Sequence, residues 1–555
     1  MPIRCSSPGH AISSGNTIGR RSLLQFGAGL SLPRLAVAQG DARPVITIAV
    51  QRIANSSTLN GLREQSNVGE RISLMISERL IDLDYRGDLA PVPALAQSWR
   101  RIDDRTIELK LRAGVKFHNG ETMTAEDVAF SFGPQHMFGD TRPVVNGQTL
   151  PVAYNGLIGQ SSKQLPAEIS PVARRLWPAL DRVEVIDTLT VRFINATPDV
   201  TLEGRFTGLG SEIVSRAGYE AAATWLDYAR RPIGTGPYKV REFRPDTMLV
   251  LDAHDEYWGG RPPVRQLRLV EVPEVSSRIN GLLSGEYQFA CDIPPDQIAS
   301  IEASAGFEVV GGTILNHRLT SFDKHHPTLR DPRVRLAMAH AIDRQAIIAG
   351  LWSGRTVVPG GLQWPFFGPM LVKGWTVPEF DLARSRELVK QAGYKGDPIP
   401  YRLLNNYYTN QVPTSQVLVE MWHQAGLNVA IEMKENWTQI RDRSAPRAVR
   451  DWSAGATFND PVGSLVAQFG PNGAAQQAGE YENEELSRLS VALETGTDPA
   501  ERQRVFARML VIAEREDPAY TVLHQNANFT AKHKSISWRA SPSFAMDFRP
   551  GNFAA

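Results

Sequence analysis

The sequence contains little cysteine and no long apolar run in its body. Its 555 residues include two cysteines, which excludes a disulfide-dense scaffold. No uninterrupted apolar stretch in the body approaches the ~20 residues that span a bilayer, so the folded part is not a membrane protein. The 60 Lys and Arg residues are balanced by 59 Asp and Glu residues, so no broad positive field favours nucleic acid as a partner.

Local signatures of catalysis are also missing. The sequence has no Gly-x-Ser-x-Gly, no His-Glu-x-x-His, no P-loop and no Gly-x-Gly-x-x-Gly. One polar cluster contains His317, Asp323, His325 and His326, and we interpret it as a solvated loop because no second cluster of ligand spacing accompanies it. We therefore predict no catalytic residue, no metal site and no cofactor. A secreted hydrolase with dispersed catalytic residues remains an alternative.

The first 38 residues contain arginines but no acidic residue, which is typical of an export signal. Arg20 and Arg21 lead into a weakly apolar stretch, residues 24–32, and the small residues up to Ala38 form a cleavage site. This segment resembles a twin-arginine signal, so we expect residues 1–38 to be removed and the product to be free in the periplasm. The alternative is a short buried helix with a basic flank.

The rest of the chain mixes strands and helices. Residues 45–50 are β-branched and apolar, and residues 106–112 alternate apolar with charged side chains, so both segments are predicted strands. Asp331 and Pro332 predict the start of a helix whose apolar spacing continues to Ile342, before Gly350. Further helices are predicted at 125–132, 381–393 and 414–426, and a strand at 427–433. This order indicates mixed α/β lobes.

Several segments match one family in the expected order. They are Pro93–Trp99, Leu109–Gly120, Thr124–Val128, Pro232–Tyr238, Tyr257–Gly259, Ser284–Glu286 and Asp331–Arg344. Together they resemble the extracellular solute-binding proteins of family 5, the peptide, opine and nickel binding components of ABC importers. The matches extend from about residue 45 to about residue 525, nearly the whole chain after the signal.

The resemblance implies an α/β fold of the periplasmic-binding-protein type, a type II-like clamshell with an extra domain inserted in the N-terminal lobe. The expected boundaries are 39–65, 185–272 and 510–555 for lobe one, 66–184 for the extra domain and 273–509 for lobe two. The implied partners are a small-molecule solute and an inner-membrane ABC permease, with no nucleic acid. A monomer is expected.

The resemblance also locates candidate ligand contacts after Trp452. In peptide binders of this family, an Asp three residues after a Trp and shortly before a Pro holds the α-amino group of the ligand. Here Gly455 takes that place when counted from Trp452, and Thr457 takes it when counted back from the proline. Either Asp460 supplies the carboxylate from a shifted loop, or the ligand presents no free amino terminus there. The same stretch contains two more candidate contacts, Phe458 and Asn459.

Other candidate contacts lie upstream. Trp437 resembles another pocket-lining Trp of the family, and four arginines follow it: Arg441, Arg443, Arg447 and Arg450. Of these, Arg441 and Arg450 are candidate ligands of an anion. The alternative for at least two of the four is a solvated helix face neutralised by the neighbouring acidic residues, Asp442 and Asp451.

Aromatic and amide side chains in two loops complete the candidate set. Asn406 and Tyr407 precede a helix, and Trp364 lies in a Gly/Pro-rich loop. For each aromatic residue, packing in the core remains an alternative. The expected solute is a short peptide or peptide-like compound, and the alternative is an anionic opine, a sugar derivative or a metal chelate.

Overall fold

The computed structural model describes residues 41–139, 144–145, 148–149, 163–405 and 407–553. Residues from Arg43 onward form one compact unit. The predicted export signal, residues 1–38, lies outside the described residues. None of the helices in the described ranges combines the length and the apolar character needed to cross a membrane.

The strands are short except for two long ones, in the middle and near the end of the chain. In chain order they are β1 (Val45–Val50), β2 (Ile81–Leu83), β3 (Pro91–Pro93), β4 (Ala96–Arg101), β5 (Thr106–Leu111), β6 (Val144–Val145), β7 (Gln148–Thr149), β8 (Leu180–Asp187), β9 (Thr190–Asn195), β10 (Tyr238–Arg244), β11 (Met248–Ala253), β12 (Gln266–Glu271), β13 (Phe289–Ala290), β14 (Phe307–Phe322), β15 (Ile399–Leu404), β16 (Val429–Lys434), β17 (Val449–Gly455) and β18 (Tyr520–His533).

Most of the longer α-helices lie in the second half of the chain. In chain order the α-helices are α1 (Asn67–Ile76), α2 (Ala125–Ser131), α3 (Ile169–Leu176), α4 (Leu202–Arg205), α5 (Arg216–Ala221), α6 (Trp225–Arg230), α7 (Val275–Leu283), α8 (Pro295–Glu302), α9 (Pro332–His340), α10 (Arg344–Trp352), α11 (Leu382–Gln391), α12 (Gln411–Gln424), α13 (Trp437–Arg441), α14 (Leu465–Phe469), α15 (Ala474–Gln477), α16 (Glu484–Thr495) and α17 (Pro499–Val511).

One sheet of ten strands runs through the molecule, in the order β10-β11-β12-β1-β13-β18-β14-β17-β15-β16. Its two long strands, β14 and β18, pair with each other in antiparallel fashion. β18 also pairs with β13, and β14 also pairs with β17, so these two strands join the N-terminal strands to the later ones. A second sheet has the order β4-β5-β9-β8, and the pairs β2-β3 and β6-β7 are separate.

Burial and pairing confirm the strand predictions. β1 lies between the parallel strands β12 and β13, where its apolar residues Ile48, Ala49 and Val50 are fully buried. In β5 the three apolar side chains are buried while the alternate residues are more exposed. The β-branched segment therefore forms β1, a buried central strand, and the alternating segment forms β5, which has one buried face and one more exposed face.

The helix predicted after Asp331 is confirmed as α9, and a second helix, α10, follows it directly. Asp331 is the N-cap of α9 as expected, but α9 ends at His340. The Asp343 side chain accepts the backbone N–H of Ala346 at 3.0 Å and starts α10. Arg344 is buried and donates to the backbone oxygen of Val522 at 2.7 Å, which ties α10 to β18. A polar cap and a buried arginine therefore interrupt an apolar spacing that is continuous in sequence.

Buried apolar side chains form four clusters in the described part of the chain. The first packs on the four-stranded sheet and contains residues between 62 and 229. Another packs around β1, β11 and β12. The remaining two pack on β14, β15, β17 and β18, one around Trp422 and one around Phe469. The candidate site lies where the α4 segment of the first cluster meets the loop after β17.

Candidate ligand-binding site

Three aromatic residues that are distant in sequence form a row. Tyr407 lies in the loop after β15, Trp437 begins α13, and Trp452 is in β17. The rings of Tyr407 and Trp437 are 5.1 Å apart and those of Trp437 and Trp452 are 5.0 Å apart, each pair edge to face at 89°. All three residues are half-buried. We call these three residues the aromatic row; edge-to-face packing gives it a defined shape while part of each ring remains accessible.

A buried polar network supports the aromatic row. The carboxylate of Asp451 accepts from Arg318 at 2.5 Å and from the side-chain amide of Gln411 at 2.6 Å. The amide oxygen of Gln411 in turn accepts the backbone N–H of Tyr407 at 2.5 Å. Burial raises the pKa of Asp451, and the charge of Arg318 opposes that rise. Sequence reasoning missed Arg318 and Gln411, because nothing local links them to the row.

Two walls of the site meet directly. We call residues 43–272 the first wall and residues 273–509 the second wall. The backbone N–H of Asn67, at the start of α1, donates to the hydroxyl oxygen of Tyr407 at 3.2 Å. The Thr207 hydroxyl donates to the backbone oxygen of Thr457 at 3.2 Å. The aromatic row therefore faces α1 across an interface at which the walls touch.

Phe458 is part of this interface. It is buried, and its ring lies so close to Gly204 that a Cβ atom at Gly204 would come within 2.8 Å of it. The guanidinium of Arg205 lies 6.0 Å from the centre of the same ring. The small size of Gly204 therefore allows the two walls to approach each other here.

The two positions at which the amine-binding Asp is expected hold Gly455 and Thr457, neither of which has a carboxylate. Gly455 ends β17 opposite Asn316, and the Thr457 hydroxyl donates to the backbone oxygen of Gly463 at 2.9 Å. Asn459 is exposed.

Asp460 lies at the end of the same loop. It is buried, and its carboxylate lies 2.8 Å from the guanidinium of Arg502. Burial raises the pKa of Asp460, and the charge of Arg502 opposes that rise. The carboxylate that sequence reasoning offers as an amine ligand therefore already has a cationic partner.

The arginines after Trp437 separate into different environments. Arg450 is buried, forms a two-point ion pair with Glu480 at 2.6 and 3.0 Å, and stacks on Trp452 at 4.0 Å. Arg447 pairs with Asp323 at 2.8 Å. For these two arginines, neutralisation by Asp442 and Asp451 is wrong, because their carboxylate partners come from other segments of the chain.

Arg441 differs from its neighbours. It is the last residue of α13, and it is exposed. Arg443 is also exposed and lies next to Gly479. Of the two arginines that the sequence offers as anion ligands, Arg441 is therefore exposed and Arg450 is buried in an ion pair.

Trp364 and His317 are packed together inside the second wall. Trp364 is 1% exposed and stacks on the His317 ring at 4.1 Å and 16°. His317 is in β14, where burial lowers its pKa to about 4. Asp323 and His326 are buried as well. The interpretation of this polar cluster as a solvated loop is therefore wrong for these three residues, and Trp364 fills the core.

Asn406 lies outside the described residues. Its neighbour Tyr407 is placed by Gln411, at the start of α12. The candidate set from the sequence therefore reduces, in the described chain, to the aromatic row, the loop after β17 and Arg441.

A cavity of about 30 Å³ lies behind α1 in the first wall. Its lining includes Asn60, Glu64, Ser73 and His136. This volume holds a water molecule but not a solute. Among the described residues, no group of three or more His, Cys, Asp or Glu side chains is arranged to hold a metal ion.

Comparison with known proteins places the chain in a family. Residues 90–476 match the family model described as bacterial extracellular solute-binding proteins, family 5 Middle. The chain is 29% identical over 302 residues to a probable di/tripeptide-binding protein of Pseudomonas aeruginosa, a match that spans 52% of this chain and 54% of that protein. It is 24% identical over 479 residues to the dipeptide-binding protein of Escherichia coli, covering 81% of this chain and 84% of that one.

The fold is also shared with solved structures. The periplasmic binding protein DppA from Helicobacter pylori, in complex with the peptide STSA, superposes with a TM-score of 0.76 at 20% sequence identity. The match covers 91% of this chain and 98% of that chain. The fold is that of the periplasmic binding proteins, as predicted, and the family consists of substrate-binding proteins. The family match includes the aromatic row, and the chain belongs to the bacterial extracellular solute-binding proteins of family 5.

Proposed function

We propose that this protein is the periplasmic solute receptor of an ABC importer. It captures a short peptide or peptide-like solute between two lobes and delivers it to the inner-membrane permease. The observation that carries this proposal is the aromatic row, which faces α1 across an interface where Asn67 touches Tyr407 at 3.2 Å. Membership of the family and the relatives named as dipeptide-binding proteins support it.

The proposed lobes follow the sheets. Lobe one combines residues 39–65, 185–272 and 510–555. The pairing of β1 with β12 supports the joining of the first two segments, and the packing of Trp538 and Phe548 in the apolar cluster around β1 and β12 supports the third. Lobe two is residues 273–509. The extra domain begins at about residue 66, and its end belongs nearer residue 195 than residue 184, because β8 and β9 lie in the sheet of β4 and β5.

The proposed capture uses hinge motion between the walls. Opening breaks a small set of direct contacts, including the pair between Arg205 and Glu494 at 3.2 Å and the hydrogen bond between Thr207 and Thr457. Water can replace these polar contacts in an open form. A solute that contacts both walls then favours the closed form.

We also propose that residues 1–38 are a twin-arginine export signal and that the exported protein is a monomer. A reporter fused to these residues, with Arg20 and Arg21 both changed to Lys as the comparison, tests export by the twin-arginine route. Export of both versions at the same level would contradict the signal assignment.

The solute-binding function can be tested on protein purified from the periplasm. Native mass spectrometry should detect a co-purified solute, and tryptophan fluorescence should change when that solute is removed and returned, because Trp437 and Trp452 border the site. The change should be reduced in Trp437→Phe and retained in Trp375→Phe, since Trp375 hydrogen-bonds Glu514 elsewhere. Turnover of peptides or esters by the purified protein would favour the alternative, a secreted hydrolase.

A further inference from the structure

We propose that Arg175 and Arg441 hold the anionic group of the solute between the two walls, so that the solute carries a carboxylate or a phosphate. This inference rests on the proposed solute-binding function and names the chemical class of the solute. The two arginines come from different walls and are far apart in the sequence.

Arg441 is placed by α13. It follows Trp437 by one helical turn, so both side chains lie on the same face of the helix. The end of α13 is held by Arg402, which donates to the backbone oxygens of Ile440 at 3.3 Å and Asp442 at 2.8 Å. The backbone at Arg441 is therefore fixed, while its guanidinium forms no ion pair among the described residues.

Arg175 is placed by α3 in the first wall. It is half-buried and donates to the side-chain oxygen of Gln65 at 3.1 Å, a neutral partner. The α3 segment also touches the second wall, because the side-chain amide of Gln477 donates to the backbone oxygen of Pro171 at 3.2 Å. Arg175 has no carboxylate partner in the described part of the chain.

The two arginines meet at the same junction of the walls. In the first wall, Gln65 accepts a hydrogen bond from Arg175, and Asn67 lies two residues after Gln65. Asn67 donates to Tyr407 in the second wall. Tyr407 packs on Trp437, which lies one helical turn before Arg441. Burial and then the positive charge of Arg441 lower the pKa of Arg175 to about 10. Two like charges facing each other across an interface are unfavourable, and an anion between them removes the repulsion.

The carboxylates around this junction already have partners. They form ion pairs as follows: Asp460 with Arg502, Glu480 with Arg450, Asp451 with Arg318, Asp292 with Arg71 and Glu494 with Arg205. Glu64 is buried, and its carboxylate accepts the backbone N–H of Ser56 at 2.6 Å and the hydroxyls of Ser56 and Ser66. Asp442, next to Arg441 in the sequence, accepts the backbone N–H of Ser444 at 2.9 Å and the Ser444 hydroxyl at 2.6 Å. The junction therefore has two arginines without a carboxylate partner in the described chain.

The excess of positive charge at this junction favours an anionic solute. A planar guanidinium binds a carboxylate or a phosphate through two parallel hydrogen bonds. A solute ammonium would instead need a carboxylate, and the one at Asp460 is bound to Arg502. An acidic solute without a free amine at that point matches the charges on both walls.

The test uses pairs of solutes that differ in charge and little else. They are N-acetyl-alanyl-alanine and its amide, glutarate and glutaramide, and glucose 6-phosphate and glucose. Binding to the exported protein is measured by calorimetry and by the shift in Tm at low ionic strength, where surface charges are least screened. We expect at least one acidic member to bind about 10-fold or more tightly than its neutral partner.

Variants assign the effect to the two arginines. Arg175→Gln and Arg441→Gln should each weaken binding of that acid by about 10- to 100-fold, and Arg441→Lys should lie between them and the wild type. Arg443→Gln is the matched control, since Arg443 is exposed on the same segment and lies next to Gly479. Circular dichroism and the Tm of each unliganded variant show whether it is folded. If Arg175→Gln is unstable, Arg441→Gln still tests the proposal, because Arg441 is exposed and its substitution should not disturb folding.

Three results of the binding experiments would overturn the inference. They are equal binding of acid and neutral partner, unchanged acid binding in the Arg441→Gln variant, and no binding of any of the three anions to the wild type. A neutral solute recovered from the periplasmic protein would overturn the anion subsite and leave the receptor function standing. Absence of any co-purified solute, with no fluorescence change for any solute, would instead contradict the receptor function itself.

Discussion

The guanidinium of Arg502 lies 2.8 Å from the carboxylate of Asp460, and both side chains are buried. Arg502 is in α17, and Asp460 caps the short turn that follows β17 by accepting the N–H of Val462. The loop that carries Thr457 and Phe458 is therefore anchored to α17 by a charge pair.

Asp460→Ala should destabilise the protein. The change leaves Arg502 buried without its partner, and breaking a buried pair in this way costs about 3–5 kcal/mol. Chemical denaturation measures the loss. Glu501→Ala is the control, because Glu501 forms an exposed pair with Arg504, and little change is expected there. A fully stable Asp460→Ala variant that lost binding of peptides with a free amine would show that Asp460 holds the amine instead.

Tyr407→Phe should weaken solute binding with little effect on folding. The change removes the oxygen that accepts the N–H of Asn67, a contact between the two walls. One such hydrogen bond contributes about 0.5–1.5 kcal/mol, which is up to about 10-fold in Kd. Calorimetry with the co-purified solute measures it. Tyr394→Phe is the control, because among the described residues its hydroxyl bonds within the second wall, to Asp397 and Asn428. Equal loss in both variants would contradict a role in closure.

Gly204→Ala should hold the walls apart. Its new methyl group would lie 2.8 Å from the side chain of Phe458, and overpacking of this kind costs about 1–3 kcal/mol, a cost that falls on the closed form. Small-angle scattering with solute should then show a more open protein, and Kd should rise. Gly350→Ala is the control, because its methyl group would meet nothing within 4 Å. Normal closure of Gly204→Ala would mean that the loop at Phe458 shifts without cost.

Glu494 should make closure depend on pH. Burial raises its pKa above the ordinary 4.5, and Arg205 opposes the rise while Asp199 and Asp460 add to it. A carboxyl group with a higher pKa in the closed form than in the open form binds its proton more tightly in the closed form. Its protonation therefore stabilises the closed form at pH values below the pKa of the open form, and this stabilisation is lost as the pH rises through the pKa of the closed form. Solute affinity should therefore fall as pH increases from 4.5 toward neutrality.

Glu494→Gln should flatten this pH dependence, because the amide carries no charge at any pH and Arg205 keeps its pair with Asp199 at 2.5 Å. Glu485→Gln, on the same helix, is the control, since hydrogen bonds from Arg508 lower the pKa of that accessible carboxyl. The measurement is Kd of the co-purified solute across the pH range. The same slope in wild type and Glu494→Gln would assign the pH dependence to another group.

Local structure follows closely from the sequence. The strand at β1, the alternation in β5 and the cap at Asp331 are predicted correctly because each depends on neighbouring residues. The break between α9 and α10 is not predictable in this way, because Arg344 bonds to Val522, which is 178 positions away in the sequence. The family match confirms the resemblance carried by the ordered motifs.

The sequence by itself determined the family, the fold class and the candidate residues around Trp437 and Trp452, since ordered motifs and periodicity are properties of neighbouring residues. Tertiary structure alone decided which charges are paired. Arg450 has Glu480, Asp460 has Arg502 and Asp451 has Arg318, each partner brought in from a distant segment. An ion pair depends on distance in space, and in a folded chain that distance is set by the packing of segments far apart in sequence.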